Sequence, residues 1–216
     1  MRIAFVAFCA SLMIAGVAHG AAAPVTPGPG PQQLIDSVSR EMLHEVDANR
    51  AVLAKDPAKL RALVNRVLLP HFDTEYSARL VLGRYWRDAT AQQRQRFIEG
   101  FIQSMMRQYG DALLDFTADR LVLLPFKGDP AAATATVRTE VKRDNGTPVP
   151  VNYSMHATPE GWKAWDVTIE GVSYVKNFKT DFGAEIEAKG LEAVIHRLET
   201  ENAAPAAPAK PGAKAG

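Results

Sequence analysis

Cysteine is almost absent from this sequence. Among its 216 residues the single cysteine is Cys9, which lies in an apolar N-terminal stretch. If that stretch is removed on export, the remaining chain has no disulfide, and its hydrophobic core alone must stabilise it. About two hundred residues would remain, enough for one domain with a sizeable core.

Long apolar runs are also scarce. Residues 3–17 form the longest one, and they are too few to span a bilayer whose hydrocarbon core is about 30 Å thick. Arg2 precedes this run, and the small residues Ala18 and Gly20 follow it just before Ala21. This arrangement predicts a cleavable secretory signal at residues 1–20.

An excess of one charge sign is lacking too. Lysine and arginine together number 25, aspartate and glutamate 24, and loss of Arg2 with the signal would make the two equal. Nucleic-acid-binding domains carry a strong basic excess, and electrostatic membrane docking needs a polybasic patch. The balance therefore argues against nucleic acid as a partner and gives no support to polybasic docking.

Enzyme and metal-site motifs are missing as well. The sequence has no Walker A loop, no GxSxG, no HExxH and no dinucleotide-binding glycine pattern. The histidines after the signal do not have metal-ligand spacing: His44, His71, His156 and His196. We expect no metal and no cofactor. Asp166 is the one carboxylate to consider for catalysis, and its simpler interpretation is a sheet-edge residue bonded to backbone or to an arginine.

Two segments are rich in proline, glycine and alanine and nearly free of large apolar side chains. Residues 21–31 follow the predicted signal, and residues 202–216 end the chain. Such segments cannot bury enough surface to offset the entropy of ordering. We predict a flexible linker at 21–31, one domain at 32–201 and a disordered tail at 202–216.

Apolar residues recur at helical spacing in the first half of the domain. Leu34, Val38, Met42 and Val46 follow one another every four residues and predict a first helix over about residues 32–56. Helix-capping signals predict further helices from Asp56 to Pro70, from Asp73 to Gly83 and from the Thr90–Gln93 capping box to about Tyr109. Residues 172–199 return to helical spacing with a break at Gly190.

Between these helices the pattern changes to period two. Strands are predicted at 120–125, 133–143, 149–157 and 162–170, and Asp144-Asn145-Gly146 and Pro159-Glu160-Gly161 provide turns. Short turns join antiparallel neighbours, so these strands form a four-stranded meander. The order of elements predicts an α+β domain with helices packed on one face of the sheet.

Alternation gives this sheet an apolar face. Its members are Leu121 and Leu123, then Val137 and Val141, then Val151, Tyr153 and Met155, then Trp165, Val167 and Ile169. Val137, Tyr153 and Val167 are expected on neighbouring strands. A core packed under helices and a ligand pocket have the same composition, so alternation alone leaves both open.

Three motifs together resemble one known family. They are LGxYWR at 82–87, TxxQRxxFxxxF at 90–101 and WxxxDxxxEGVSxVxNF at 162–178. In this combination, over about residues 31–200, the chain resembles the MlaC or toluene-tolerance auxiliary family of periplasmic phospholipid-binding proteins.

The resemblance implies a fold and a function. The fold would be a twisted, NTF2- or cystatin-like antiparallel sheet of four strands, covered by several helices that enclose an apolar cavity. The protein would not be an enzyme but a periplasmic carrier of diacyl phospholipid between the inner and outer membranes, which maintains outer-membrane asymmetry. Its partners would be an inner-membrane ABC transporter complex with a lipid-binding ring subunit and an outer-membrane lipoprotein–porin complex. Phe101 and Met105 would join the apolar sheet residues as lipid contacts.

Two other functions remain open at this stage. NTF2-like folds also house enzymes acting on apolar substrates, and here Asp166 with Tyr153 or Tyr174 would be the acid–base pair. Alternatively, a periplasmic chaperone could hold apolar polypeptide segments in the same cavity.

The last motif also predicts local structure. Gly171 is expected to adopt a positive φ at the corner between strand and helix. Tyr174, Phe178 and Phe182 are spaced by four, so their rings should pack together against the sheet or its covering helices. Trp86 is the distant residue that we expect to meet them.

Overall fold

The computed structural model describes residues 28–115, 117–129, 132–143 and 145–203. The predicted signal, most of the predicted linker and nearly all of the predicted tail lie outside the described residues. The domain has helices before and after one antiparallel sheet, so the predicted α+β class is confirmed.

The helices begin and end close to the predicted positions, except that the short helix at Tyr85–Asp88 was not predicted as a separate element. They are α1 Pro31–Leu53, α2 Pro57–Val67, α3 Thr74–Leu82, α4 Tyr85–Asp88, α5 Ala91–Tyr109, α6 Tyr174–Lys189 and α7 Leu191–Ala203. The side chains of Asp56 and Asp73 accept hydrogen bonds from the first turns of α2 and α3, and Thr90 and Gln93 form the predicted capping box of α5. α7 runs two residues into the segment predicted as a tail, where Asn202 donates to the Gly100 carbonyl at 3.1 Å.

The sheet has five strands where four were predicted. They are β1 Leu121–Leu123, β2 Thr134–Lys142, β3 Pro148–Thr158, β4 Gly161–Ile169 and β5 Val172–Ser173, paired antiparallel in that order. Val172 was expected in the following helix. Instead Glu170 and Gly171, with φ of 50° and 84°, form a two-residue turn that folds β5 back onto β4. Positive φ at both positions is typical of a type I′ hairpin, and the prediction for Gly171 is confirmed.

The two sides of the sheet differ as predicted. Val137, Tyr153 and Val167 pair directly across β2, β3 and β4 and therefore lie on one side. We call this side the α1 face because α1 and α2 pack against it. The opposite side carries polar rows such as Arg138, Asn152 and Thr168.

A β-bulge in β4 changes the orientation of one predicted residue. Ser154 is opposite Asp166 and Met155 is opposite Ala164, so Trp165 is the extra residue between them. Its ring contacts that of Tyr76 in α3 at 5.7 Å between centroids, and Tyr76 in turn contacts His156. The prediction that Trp165 shares a face with Val167 is wrong, because one extra residue interrupts the alternation.

The helices form two apolar clusters. The first joins α1 and α2 to Val137, Met155 and Ala164 of the sheet. The second joins α3, α5, α6 and α7, and it contains the rings of the last motif, with Phe178 and Phe182 stacked at 5.8 Å. That packing is confirmed. Their neighbours across the interface are Phe97 and Phe101 of α5, whereas Trp86 packs at the margin of this cluster.

Candidate functional site

The α1 face is closely packed at one end only. Val137, Met155 and Ala164 are each 1% exposed under α1 and α2. At the other end Val141 and Val151 are buried by their surroundings but belong to neither apolar cluster of the described residues. Val167 and Ile169 on the same side also lie outside both clusters and are only half-buried. This end of the α1 face is therefore less completely covered by α1 and α2, and we call it the loosely covered end.

A cleft opens beside this loosely covered end. It has a volume of about 210 Å³ and lies between α1, which contributes Asp36, Arg40 and Leu43, and β1, which contributes Leu121 and Leu123. The floor is therefore apolar and the α1 side carries a charged pair. β1 is an edge strand, so the cleft lies at the edge of the sheet.

One hydrogen bond ties α1 to the chain beyond β1 near this cleft. Gln32 Nε2 donates to the Leu124 carbonyl at 2.9 Å, across 92 residues of sequence. The side chains that line the cleft itself come from α1 and β1. The Gln32–Leu124 bond is thus a specific polar link between α1 and the residue that follows β1.

Hydroxyl groups lie between the cleft and the centre of the α1 face. Leu123 pairs with Thr139, and Thr139 pairs with Val151 next to Tyr153. Burial raises the pKa of the Tyr153 phenol, and its hydrogen bonds with Thr139 and Ser39 of α1 act in the opposite direction. Leu123, Thr139 and Tyr153 therefore form a row of neighbouring side chains that runs from the edge of the sheet to the region under α1.

Most of the residues predicted to contact lipid lie at the cleft or on the α1 face. Leu121 and Leu123 line the cleft. The α1 face carries Val137, Val141, Val151, Tyr153, Met155, Val167 and Ile169. Trp165 contacts Tyr76 instead, and Phe101 and Met105 pack in the second cluster, away from these sheet residues.

The α1 contribution to the cleft was not predicted. Leu43 follows Met42, which belongs to the predicted apolar stripe, so the buried surface of α1 is wider than that stripe. Asp36 and Arg40 are spaced by four, a spacing that predicts an ion pair on the helix. Which strand this side of α1 meets depends on tertiary packing that the helical spacing does not contain.

Asp166 has a structural role in this geometry. It is 5% exposed, and its two carboxylate oxygens accept hydrogen bonds from Ser173 Oγ at 2.6 Å and the Val175 backbone N–H at 3.0 Å. The carboxylate thereby fixes the start of α6. Tyr153 lies on the other side of the sheet, because adjacent strand residues point to opposite faces and Asp166 is opposite Ser154. Asp166 and Tyr153 therefore do not form the acid–base pair considered above. The ring of Tyr174 contacts that of Phe178, at 6.3 Å between centroids.

Among the described residues, no group of three or more His, Cys, Asp or Glu side chains is placed to hold a metal ion. Within the same residues, no helix combines the length and apolar character needed to cross a bilayer.

Two known proteins are similar to this chain in sequence. The chain is 30% identical over 161 residues to toluene tolerance protein ttg2D of Pseudomonas putida, which is 74% of each chain. It is 22% identical over 178 residues to the intermembrane phospholipid transport system binding protein MlaC of Haemophilus influenzae, covering 81% of this chain and 83% of that one.

A solved structure is similar over nearly its full length. It is that of a phospholipid-binding protein from Ralstonia solanacearum in complex with a phospholipid, with a TM-score of 0.76 and 25% identity, covering 81% of this chain and 98% of that one. The family model described as MlaC protein matches residues 36–200, from the first turns of α1 to the last turn of α7. With a match of that extent, the chain belongs to the MlaC family.

Proposed function

We propose that this protein carries phospholipid, with the acyl chains held between α1 and the loosely covered end of the α1 face. The proposal rests on one observation: the apolar row of the α1 face extends to Leu121 and Leu123, which line a cleft at the edge of the sheet. The similarity to a protein in complex with a phospholipid supports it.

Lipid binding on this face requires α1 to move. The cleft of about 210 Å³ is smaller than the pockets of about 300–1,000 Å³ that hold drug-sized ligands. A lipid with two acyl chains is larger than such ligands. The α1–α2 layer must therefore separate from β1, and the Gln32–Leu124 hydrogen bond must break or shift as it does so.

The free energy of acyl-chain burial is consistent with a passive carrier that does not itself drive transport in one direction. Each methylene removed from water is worth about 0.8 kcal/mol, so two chains with roughly thirty methylenes amount to more than about 20 kcal/mol. A membrane offers the same environment, so the carrier lowers the aqueous barrier to transfer and does not set its direction. We propose that partners set the direction: an inner-membrane ABC transporter complex with its lipid-binding ring and an outer-membrane lipoprotein–porin complex.

The site of action follows from the proposed signal. After removal of residues 1–20 the chain would work in the periplasm, where it would move phospholipid between the two membranes and maintain outer-membrane asymmetry. Without cysteine, the exported chain would form no disulfide there, and its core alone would stabilise it.

Purified protein should contain bound phospholipid. We expect native mass spectrometry of the chain from residue 21, prepared gently from membrane-rich cells, to show one or two phospholipids per protein, identified after organic extraction. Lipid-free protein would count heavily against a carrier, and bound peptide would point to a chaperone.

A polar substitution at Val167 should reduce lipid retention more than it reduces stability. Val167 is half-buried on the α1 face and lies outside both packed clusters. In the proposed carrier this position contacts the acyl chains, so a glutamine there would place a polar group against them. An unsatisfied polar group costs about 1–3 kcal/mol, and we expect Val167→Gln to lower lipid retention by roughly 5- to 150-fold. Val137, by contrast, is 1% exposed in the packed end, where a polar residue would destabilise the fold.

The control is Val122→Gln. Val122 is also a half-buried strand valine, but it pairs with Glu140 and so lies on the opposite side of the sheet. Lipid retention and melting temperature are measured for both variants. Equal retention in the two would show that the α1 face does not contact lipid, and loss of folding in Val167→Gln alone would mean that this end is a packed core.

A further inference from the structure

The rim of the cleft carries an ion pair with a defined orientation. Arg40 Nε donates to both carboxylate oxygens of Asp36, at 2.9 and 3.0 Å. The Arg40 side chain is 75% exposed and that of Asp36 is 32% exposed, so solvent reaches both. The apolar side chains of Leu43 and Leu121 line the same cleft.

Both charged groups retain capacity for a ligand. Among the described residues, the hydrogen bonds of Arg40 run through Nε, which leaves the terminal nitrogens for an acceptor such as a phosphate. Each oxygen of Asp36 accepts one of these bonds and has a further lone pair for a donor such as an ammonium group. The pair thus offers a cationic and an anionic point side by side at an apolar entrance.

We infer that Asp36 and Arg40 bind the lipid headgroup and favour phospholipids that carry a primary ammonium beside the phosphate, as phosphatidylethanolamine does. Arg40 meets the phosphate and Asp36 meets the ammonium. A headgroup without the ammonium, such as that of phosphatidylglycerol, brings its phosphate near the Asp36 carboxylate and offers that carboxylate no cationic partner. This inference rests on the proposed carrier function, because only a bound lipid brings the headgroup to the cleft.

The expected preference is modest because the pair is exposed. Exposed ion pairs contribute about 0.2–1 kcal/mol, which corresponds to at most about a fivefold preference. The chain from residue 21 is incubated with vesicles of equimolar phosphatidylethanolamine and phosphatidylglycerol, separated from them, and its bound lipid is extracted and quantified by mass spectrometry. We expect phosphatidylethanolamine to be enriched about two- to fivefold over the vesicles.

Two variants test the ammonium contact and the phosphate contact separately. Asp36→Asn removes the partner of the ammonium, so the enrichment of phosphatidylethanolamine should disappear. Arg40→Gln removes the phosphate contact for both lipids but leaves Asp36, so the load should fall while phosphatidylethanolamine stays enriched. Asp47→Asn is the control, since Asp47 pairs with Arg50 on α1 but does not line the cleft.

The outcomes separate this inference from the function on which it rests. Bound lipid with the same composition as the vesicles would overturn the headgroup site, as would an unchanged phosphatidylethanolamine enrichment in Asp36→Asn. Neither result would contradict the proposed carrier function. Failure of the wild-type protein to take up any lipid would overturn both.

Discussion

Phe178→Ala should lower the free energy of unfolding by about 3–5 kcal/mol, the usual range for truncation of a buried phenylalanine. Phe178 is 5% exposed, and its ring meets Phe101 nearly edge-on at 5.2 Å and stacks on Phe182 at 5.8 Å. The substitution removes both ring contacts and leaves a cavity where α5 meets α6. For a domain of this size the melting temperature should fall by roughly 6–20 °C.

Thermal and denaturant unfolding measure this effect, and Val172→Ala provides the control. Val172 is 57% exposed in β5, so its truncation should change stability by less than about 0.5 kcal/mol. Bound phospholipid must be removed or matched in all samples, because a ligand that binds only the folded state raises its stability. A Phe178→Ala protein that melts like the wild type would contradict the burial of this ring.

The second cluster, to which Phe178 belongs, does not border the proposed lipid site. Its members lie on α3, α5, α6 and α7, whereas the cleft lies between α1 and β1. Phe101 and Met105, predicted as lipid contacts, belong to this second cluster, and as lipid contacts they stay a prediction. Their position favours a division in which one cluster supplies stability and the α1 face supplies binding.

Local patterns in the sequence were sufficient for much of the fold. Asp56, Asp73 and the Thr90–Gln93 pair marked the starts of three helices, because a capping side chain acts within one turn of the residue that bears it. Alternation placed Val137 and Tyr153 on one side of the sheet, because the side-chain period of a strand is two.

The same patterns failed where one extra residue changes the direction of a side chain, or where a distant element determines what a helix contacts. Trp165 fits the alternation of β4, but the bulge beside Met155 adds one residue and turns its ring toward Tyr76. Arg40 fits an exposed helical ion pair, and only the packing of α1 beside β1 brings it to a cleft. Sequence periodicity describes each helix or strand by itself. Which element packs against each of its faces is determined only by the tertiary structure.

A covalent link between α1 and β1 should block lipid exchange. The proposed route needs these two elements to separate, and Leu43 and Leu121 face the cleft from either side. Because the chain after the predicted signal has no cysteine, Leu43→Cys with Leu121→Cys gives a single pair for a short bis-maleimide linker. We expect linking to slow exchange of bound lipid with fluorescent lipid in vesicles at least about tenfold, a barrier increase of about 1.4 kcal/mol or more.

The matched control links two elements outside the route. Arg96 of α5 and Glu192 of α7 form an ion pair at 2.6 Å on the surface, so Arg96→Cys with Glu192→Cys can be linked by the same reagent. This link should leave exchange unchanged, and each linked protein is compared with its own double variant before the reagent is added. Exchange that persists at the wild-type rate after complete α1–β1 linking would mean that lipid enters elsewhere, and the assignment of the cleft as the entrance would fail. Slowing in both linked proteins would instead indicate that exchange requires motion of the whole helical layer, because α5 and α7 belong to the cluster that the cleft does not touch.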